Sequence, residues 1–182
     1  SFGSSAFEGC TQLTEINLSS ASSLGADNIF KGCTGITKVT PTTGNVQTSI
    51  PASCTTLGQS LFEGCSSITS IVASGVTTVG KNAFLGCSSI EQISLSSSPL
   101  TIGEGAFKDC GTDDSELSMN TIASISKTIG SYAFQGTEIS YISSSSITSI
   151  GNQAFMGCGS LGSVNITGSG IMSLGSSVFE NC

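Results

Sequence analysis

An eight-residue phrase, G-x-x-A-F-x-G-C, recurs along the chain and constrains its fold more than any other feature. It reads GSSAFEGC at 3–10, GKNAFLGC at 80–87 and GNQAFMGC at 151–158, with more divergent copies between them and at 175–182. A unit this short cannot bury its own apolar residues, so the copies must stack and share one core. The predicted core ladder consists of Phe7, Phe30, Phe62, Phe84, Phe107, Phe134, Phe155 and Phe179, with Cys10, Cys33, Cys65, Cys87, Cys110, Cys158 and Cys182.

Each phrase leads into a second pattern, C-x-x-[LI]-x-x-[IV]-x-[LIVA]. After Cys87, for example, it places Ile90, Ile93 and Leu95. The closing period of two predicts a short strand with one buried face. A further apolar residue precedes the next glycine, as Val79 does, and the A-F step suits one helical turn better than a strand. One repeat is therefore a short strand, a Ser/Thr/Gly turn and a return segment.

The combined phrase, I-G-x-x-A-F-x-G-C-x-x-L-x-x-I-x-L, resembles the BspA-type leucine-rich repeat over nearly all of the chain. The resemblance implies an α/β repeat fold: a right-handed solenoid with a parallel sheet on its concave face and short turns, irregular or helical segments on its convex side. Residues 1–182 would form a single solenoid of about eight repeats, cut from a longer array. The family usually has proline after the strand, whereas this chain has mainly serine there.

Three segments depart from the repeat. Residues 40–57 form an insertion with the only out-of-phase cysteine, Cys54, and are either an extra hairpin or a degenerate return leg. Residues 111–116 form a second insertion, after which either Leu117-x-Met119 or Ile122 fills the core positions of the next strand. The copy at 134–142 has Thr137 where the others have cysteine.

Composition excludes several classes of function. Five Lys and Arg residues cannot neutralise a nucleic-acid backbone or form a polybasic membrane patch. No apolar run approaches the roughly 20 residues that span a bilayer. The chain has no His, the usual general base and a common zinc ligand. We therefore expect no enzymatic activity, no cofactor, no nucleic-acid partner and no membrane insertion in this segment.

The repeated cysteines are predicted to form a column of buried thiols, because free cysteine is among the most buried residue types. Zinc sites favour close Cys pairs or added His, and here the cysteines lie about one repeat apart. A stack of disulfides is the alternative. Adjacent rungs are close enough for it, but matched side-chain directions give poor disulfide geometry. Cys54 is expected to fill a buried position as well.

The densest acidic run is Asp109, Asp113, Asp114 and Glu116. Carboxylates are ligands for Ca²⁺, but the spacing is not that of an EF-hand loop. A solvated turn is the favoured interpretation. Two N-glycosylation sequons begin at Asn17 and Asn165, and chance occurrence in a Ser/Thr-rich chain is the favoured explanation.

The strand residues that flank the core Ile should point away from the core and align across repeats. Solenoids commonly bind partners on such an extended face, although a solvated face is the simpler alternative. Tyr141 is the main aromatic anchor. The predicted partner-binding columns are Glu15, Lys38, Ser70, Gln92, Tyr141 and Ser163, and beside them Asn17, Thr40, Val72, Ser94, Ser143 and Asn165.

The leading hypothesis is an extracellular or cell-surface module for protein interaction or adhesion. Its partner would be a host protein, a matrix protein or the chain itself. The alternative is a structural subunit of a filament or surface layer. The chain opens and closes at one phase of the repeat without polar caps, so end-to-end stacking would propagate as a fibre.

Overall fold

The computed structural model describes residues 1–40, 50–96, 100–111, 116–168, 170 and 173–182. Its strands are short and parallel, and they form two ladders that run along the stack of repeats. The first ladder consists of three two-stranded sheets, and the second is one six-stranded sheet. The first ladder contains β1 (Glu15–Asn17), β2 (Lys38–Thr40), β4 (Ser70–Ala73), β6 (Gln92–Leu95), β9 (Tyr141–Ser144) and β11 (Ser163–Ile166). The second contains β3 (Thr56–Leu57), β5 (Thr78–Val79), β7 (Leu100–Ile102), β8 (Ser126–Ile129), β10 (Ser149–Ile150) and β12 (Ser173–Leu174).

The second ladder is the longer continuous sheet. Its six strands follow one another in chain order, and each pairs in parallel with its neighbours. The register aligns the apolar residue before each glycine, so that Leu57, Val79, Ile102, Ile129 and Ile150 form one column. All of these side chains are buried. The apolar-Gly step of the sequence is therefore a strand of its own and not only a return segment.

The first ladder contains the strands that the C-x-x-[LI] pattern predicts, and they pair as β1–β2, β4–β6 and β9–β11. Each pairing aligns core residues of the same repeat position, as Ile71 does with Ile93. The two ladders and their short connections form a parallel β-solenoid, which confirms the predicted class of fold.

The G-x-x-A-F-x-G-C phrase forms a series of overlapping tight turns rather than a helical turn. In the copy at 80–87, Leu85 N donates to Asn82 O at 3.1 Å and Cys87 N donates to Phe84 O at 3.1 Å. Alternate amides donate to the next repeat instead, as Phe84 N does to Ala106 O at 2.8 Å. The third and seventh residues of each phrase have positive φ, which explains why the seventh is usually glycine.

The ladder phenylalanines stack through the repeats. Consecutive rings lie 5.3 to 5.7 Å apart between centroids, and their planes differ by 1° to 16°. These distances are those of offset-stacked aromatic pairs. Phe7 and Phe179, in the first and last phrases, are only partly buried, and the six between them are fully buried.

From the third phrase onward, the first glycine of the phrase is required by close approach of the backbone. A Cβ on Gly130 would lie 2.5 Å from the amide nitrogen of Glu104 and 2.6 Å from the carbonyl carbon of Gly103. Those atoms belong to the backbone of the preceding rung and cannot give way. Glycine at this position therefore sets how closely the repeats stack.

The strand expected after the second insertion is instead a helix, α1 (Glu116–Ile125). It packs between β6 and β9 and takes the place of a strand in the first ladder. Met119, Ile122 and Ala123 are all buried. Their i, i+3, i+4 spacing matches one face of a helix, which explains why the sequence left two strand phases open.

The last part of the first insertion has the structure of a return leg. Residues 41–49 lie outside the described residues, but Thr56–Leu57 joins the six-stranded sheet as β3. Cys54 lies three residues before Leu57, as Val76 lies before Val79, and both are buried. Its backbone amide donates to Pro51 O at 2.9 Å, as Val76 N donates to Ala73 O at 3.0 Å. Of the two alternatives for this insertion, the structure matches the degenerate return leg, with Cys54 in a regular core position.

Candidate functional site: an interrupted strand face and a thiol column

The predicted partner-binding columns are aligned by the strand register. Glu15 pairs with Lys38, Ser70 with Gln92, and Tyr141 with Ser163. In the second column Asn17 pairs with Thr40, Val72 with Ser94, and Ser143 with Asn165. Ser70 and Val72 are half-buried, and the side chains of Lys38 and Thr40 lie outside the description. The exposed members are Glu15, Asn17, Gln92, Ser94, Tyr141, Ser143, Ser163 and Asn165.

This face is divided into three patches. The first patch contains β1 and β2, the middle patch β4 and β6, and the third patch β9 and β11. Ile50 N donates to Val72 O at 2.7 Å, so the chain at Ile50 lies on the edge of the middle patch. The helix α1 separates the middle patch from the third. The two predicted columns are therefore interrupted between β6 and β9, because a helix occupies that rung.

Side chains of α1 bind the strand edge that a neighbouring strand would otherwise pair with. Asn120 is 1% exposed, and its Oδ1 accepts bonds from Ser140 N at 3.0 Å and Tyr141 N at 3.3 Å. Its Nδ2 donates to Ser140 Oγ at 3.2 Å. One turn later, Ser124 Oγ accepts a bond from Ser143 N at 3.1 Å. The helix thus satisfies β9 through side chains at i and i+4.

Tyr141 lies at the junction of this helix and the third patch. Its side chain is 42% exposed while its backbone amide is held by Asn120. A large aromatic side chain on a fixed backbone loses little conformational entropy on binding, which is why tyrosine is common in interfaces. Tyr141 is also the only aromatic residue among the predicted face residues.

The two sequon asparagines are both exposed on this face, Asn17 in the first patch and Asn165 in the third. Asn17 Oδ1 accepts bonds from Ser19 N at 2.9 Å and Ser19 Oγ at 2.7 Å. This local turn accounts for the Asn-x-Ser spacing without a glycan, because Asn commonly bonds its own backbone two residues on.

The cysteines are free thiols, and their column has a regular geometry. In five of them, Sγ lies 2.9 to 3.1 Å from the carbonyl oxygen of the ladder Phe one repeat earlier. Cys87, for example, donates to Phe62 O at 3.0 Å. The thiol is a weak hydrogen-bond donor that binds the rungs together. Thr137 replaces the cysteine in one repeat. Its Oγ1 donates to Phe134 O of the same repeat at 2.8 Å, and not to the preceding repeat.

Burial protects the thiols in the interior of the column. Cys33, Cys54, Cys65, Cys87, Cys110 and Cys158 are at most 2% exposed. Loss of solvation raises the pKa of the Cys65 thiol to about 12 and also raises the pKa of Cys87 and Cys110. The expectation of burial does not extend to Cys10 and Cys182, which are exposed because they belong to the first and last phrases.

We expect Ellman's reagent at pH 8 to titrate two thiols of the native chain rapidly and six only after unfolding. The thiolate is the reactive form, and burial both excludes the reagent and keeps the six interior thiols protonated. The progress curve measures this directly. As a control, Cys10→Ser should remove one rapid equivalent, whereas Cys87→Ala should remove none. Rapid reaction of more than two thiols would contradict the buried column.

Two further expectations concern metals and membranes. Asp113 and Asp114 lie outside the described residues, so the acidic run stays a prediction. Among residues that are described, no group of three or more Cys, Asp or Glu side chains could hold a metal ion. In the same ranges, no helix is long and apolar enough to cross a membrane.

The parallel ladders, the stacked phenylalanines and the one-repeat spacing of the thiols define a leucine-rich-repeat solenoid. The family model for the BspA type leucine rich repeat region matches the chain in six copies, over residues 1–113, 42–143 and 127–182. The chain belongs to this family.

Two solved structures are similar to this chain. A leucine-rich cell surface protein from Faecalibacterium prausnitzii is 22% identical, with a TM-score of 0.50, over 99% of this chain and 54% of that one. A leucine-rich repeat protein from Bacteroides ovatus is also 22% identical, with a TM-score of 0.49, over 96% and 48% of the two chains. This chain thus spans about half the length of each. No curated protein matches it significantly.

Sequence reasoning missed Asn120 as a positioning residue for the candidate face. Nothing in the string ELSMNTIASI marks a buried asparagine, because the helix itself was not predicted. The one available signal was the ambiguity between two strand phases over residues 117–122.

Proposed function

We propose that this chain is a non-enzymatic module for protein interaction or adhesion, displayed outside the cell or on its surface. The observation that carries the proposal is the register of the first ladder, which aligns exposed polar side chains and Tyr141 along one face. Extended faces of this kind are the usual binding surfaces of solenoids. The cell-surface description of the Faecalibacterium protein supports the proposed location.

The division into patches sharpens the proposal. The third patch combines Tyr141 with exposed Ser143, Ser163 and Asn165, so it offers an aromatic anchor within a polar rim. Binding energy at interfaces concentrates on a few such anchors, and the surrounding polar contacts add little. We therefore place the main contact on the third patch, with Gln92 and Glu15 contributing from the other two.

The test is a surface-plasmon-resonance screen of the immobilised chain against purified matrix proteins, serum proteins and the chain itself. For a protein that binds, Tyr141→Ala should weaken affinity about tenfold or more, as expected for an anchor. Gln92→Ala and Glu15→Ala should each have smaller effects, and the triple variant should lose most binding.

The matched control changes exposed residues of the turn phrases, Glu8→Ala, Gln59→Ala and Glu180→Ala together, and should leave affinity unchanged. If the control weakens binding and the face variants do not, the contact lies on the turns. Binding of the chain to itself, with ordered fibres in electron micrographs, would favour the filament subunit.

A further inference from the structure

The turn phrases form a pocket that is separate from the strand face. Two residues after the first glycine of the phrase, successive repeats have Asn82, Gly105 and Tyr132. Rungs stack about 4.8 Å apart, so the missing side chain at Gly105 opens a slot between the other two. The slot has a volume of about 230 Å³, and Leu85, Glu104 and Lys108 complete its lining.

Gly105 is the reason that the slot exists. Its φ is +60°, and the equivalent residues Asn28 and Asn82 have φ of 57° and 55°. The fold therefore accepts asparagine at this position. A Cβ on Gly105 would contact the side-chain oxygen of Asn82, which is the far end of a flexible side chain. Glycine is not required by the backbone here, in contrast to the first glycine of the phrase.

The polar groups of the slot favour an anionic ligand. Glu104 is paired with Lys81 at 3.0 Å, which offsets its charge. Lys108 Nζ lies 6.0 Å from the centroid of the Tyr132 ring, at the outer limit of a cation–π contact. Lys108 makes no ion pair within the described residues. The pocket thus has a local excess of one positive charge in a chain of net charge −7.

We propose that this slot binds a single carboxylated sugar ring, such as a uronic or a sialic acid. The electron-rich face of Tyr132 attracts the polarised C–H groups of a pyranose. The side-chain amide of Asn82 offers two donors and an acceptor to neighbouring hydroxyls. That side chain makes no hydrogen bond to a described residue. Lys108 pairs with the carboxylate. The volume lies below the roughly 300–1,000 Å³ of drug-sized pockets, which suits one ring.

The experiment is an NMR titration of the ¹⁵N-labelled chain with glucuronate, N-acetylneuraminate and, as a neutral comparator, glucose. We expect saturable shifts at the amides of Gly105 and Tyr132, with millimolar affinity because the slot is shallow and open. At least one acid should bind about threefold to fivefold more tightly than glucose, the range that one exposed ion pair supplies. Tighter binding of glucuronate would identify a uronic acid as the ligand, and tighter binding of N-acetylneuraminate would identify a sialic acid.

Three variants test the assignment. Gly105→Asn fills the slot with the residue that other repeats use there and should abolish the shifts while the fold is retained. Lys108→Met should remove the preference for acids over glucose. Lys31→Met changes the same repeat position away from the slot and should bind like the wild type.

Either of two results would overturn the proposal: no saturable shift with either acid, or equal binding of the acids by Gly105→Asn and the wild type. Equal affinity of the wild type for glucose and both acids would also reject it. The proposal does not depend on the strand face, because none of its residues lies in the first ladder.

Discussion

Replacing Phe107 with alanine is expected to lower the free energy of unfolding by about 4 kcal/mol, within the range of large aromatic truncations in cores. Phe107 is fully buried, and its ring stacks on Phe84 at 5.3 Å and on Phe134 at 5.4 Å. The substitution opens a cavity and removes two aromatic contacts in the middle of the array. Urea denaturation followed by circular dichroism measures the change.

Phe7→Ala is the matched control, since it makes the same change in a partly buried ring of the first phrase. Its cost should be about half as large or less, because less apolar surface returns to water. In a solenoid, a weak central interface also separates the two flanking halves. Phe107→Ala should therefore broaden the transition or split it. Equal costs for the two variants would show that the stack does not hold the array together.

Replacing Asn120 with alanine is expected to cost about 3 kcal/mol, because it removes from a fully buried position the oxygen that accepts hydrogen bonds from the backbone amides of Ser140 and Tyr141. Both amides now donate to Asn120 Oδ1. Among the described residues, α1 and not a strand lies on that edge of β9. Denaturation measures the loss, and hydrogen exchange should accelerate first at these two amides. Partner binding through Tyr141 should weaken as well.

Asn152→Ala is the control for this prediction. Asn152 Oδ1 accepts a bond from Ser176 N at 3.0 Å, so the chemistry is the same, but Asn152 is exposed. Water can replace its amide, and the cost should stay below about 1 kcal/mol. If the two substitutions cost the same, burial of Asn120 contributes nothing, and α1 is held by its apolar face alone.

The stacked core could be predicted because its signal is repeated. Phe84, Cys87 and Ile93 recur at one phase in copy after copy, so even short patterns of two or three residues become decisive. The second ladder could be predicted only in part from the sequence. Two-residue strands such as Thr78–Val79 have no periodicity of their own, and they exist because equivalent segments of adjacent repeats pair with each other.

The helix could not be predicted for the opposite reason. It occurs in one repeat, and its ten residues contain Met119, Ile122 and Ile125 at spacings that also allow a distorted strand. The thiol column was predictable in its interior and wrong at Cys10 and Cys182, where burial depends on a neighbouring repeat. The slot beside Tyr132 was readable in principle, since aligned phrases place Gly105 between Asn82 and Tyr132.

The helix also has a consequence for how the array finds its correct alignment. Repeats this similar can dock one unit out of step and still match phenylalanine with phenylalanine, a characteristic misassembly of repeat proteins. Asn120 and Ser124 hold the strand edge at 140–143 through hydrogen bonds that the regular repeats do not make. A shifted array would leave both the helix and that edge without partners. The helical rung therefore makes the correct alignment of the repeats lower in free energy than an alignment shifted by one repeat.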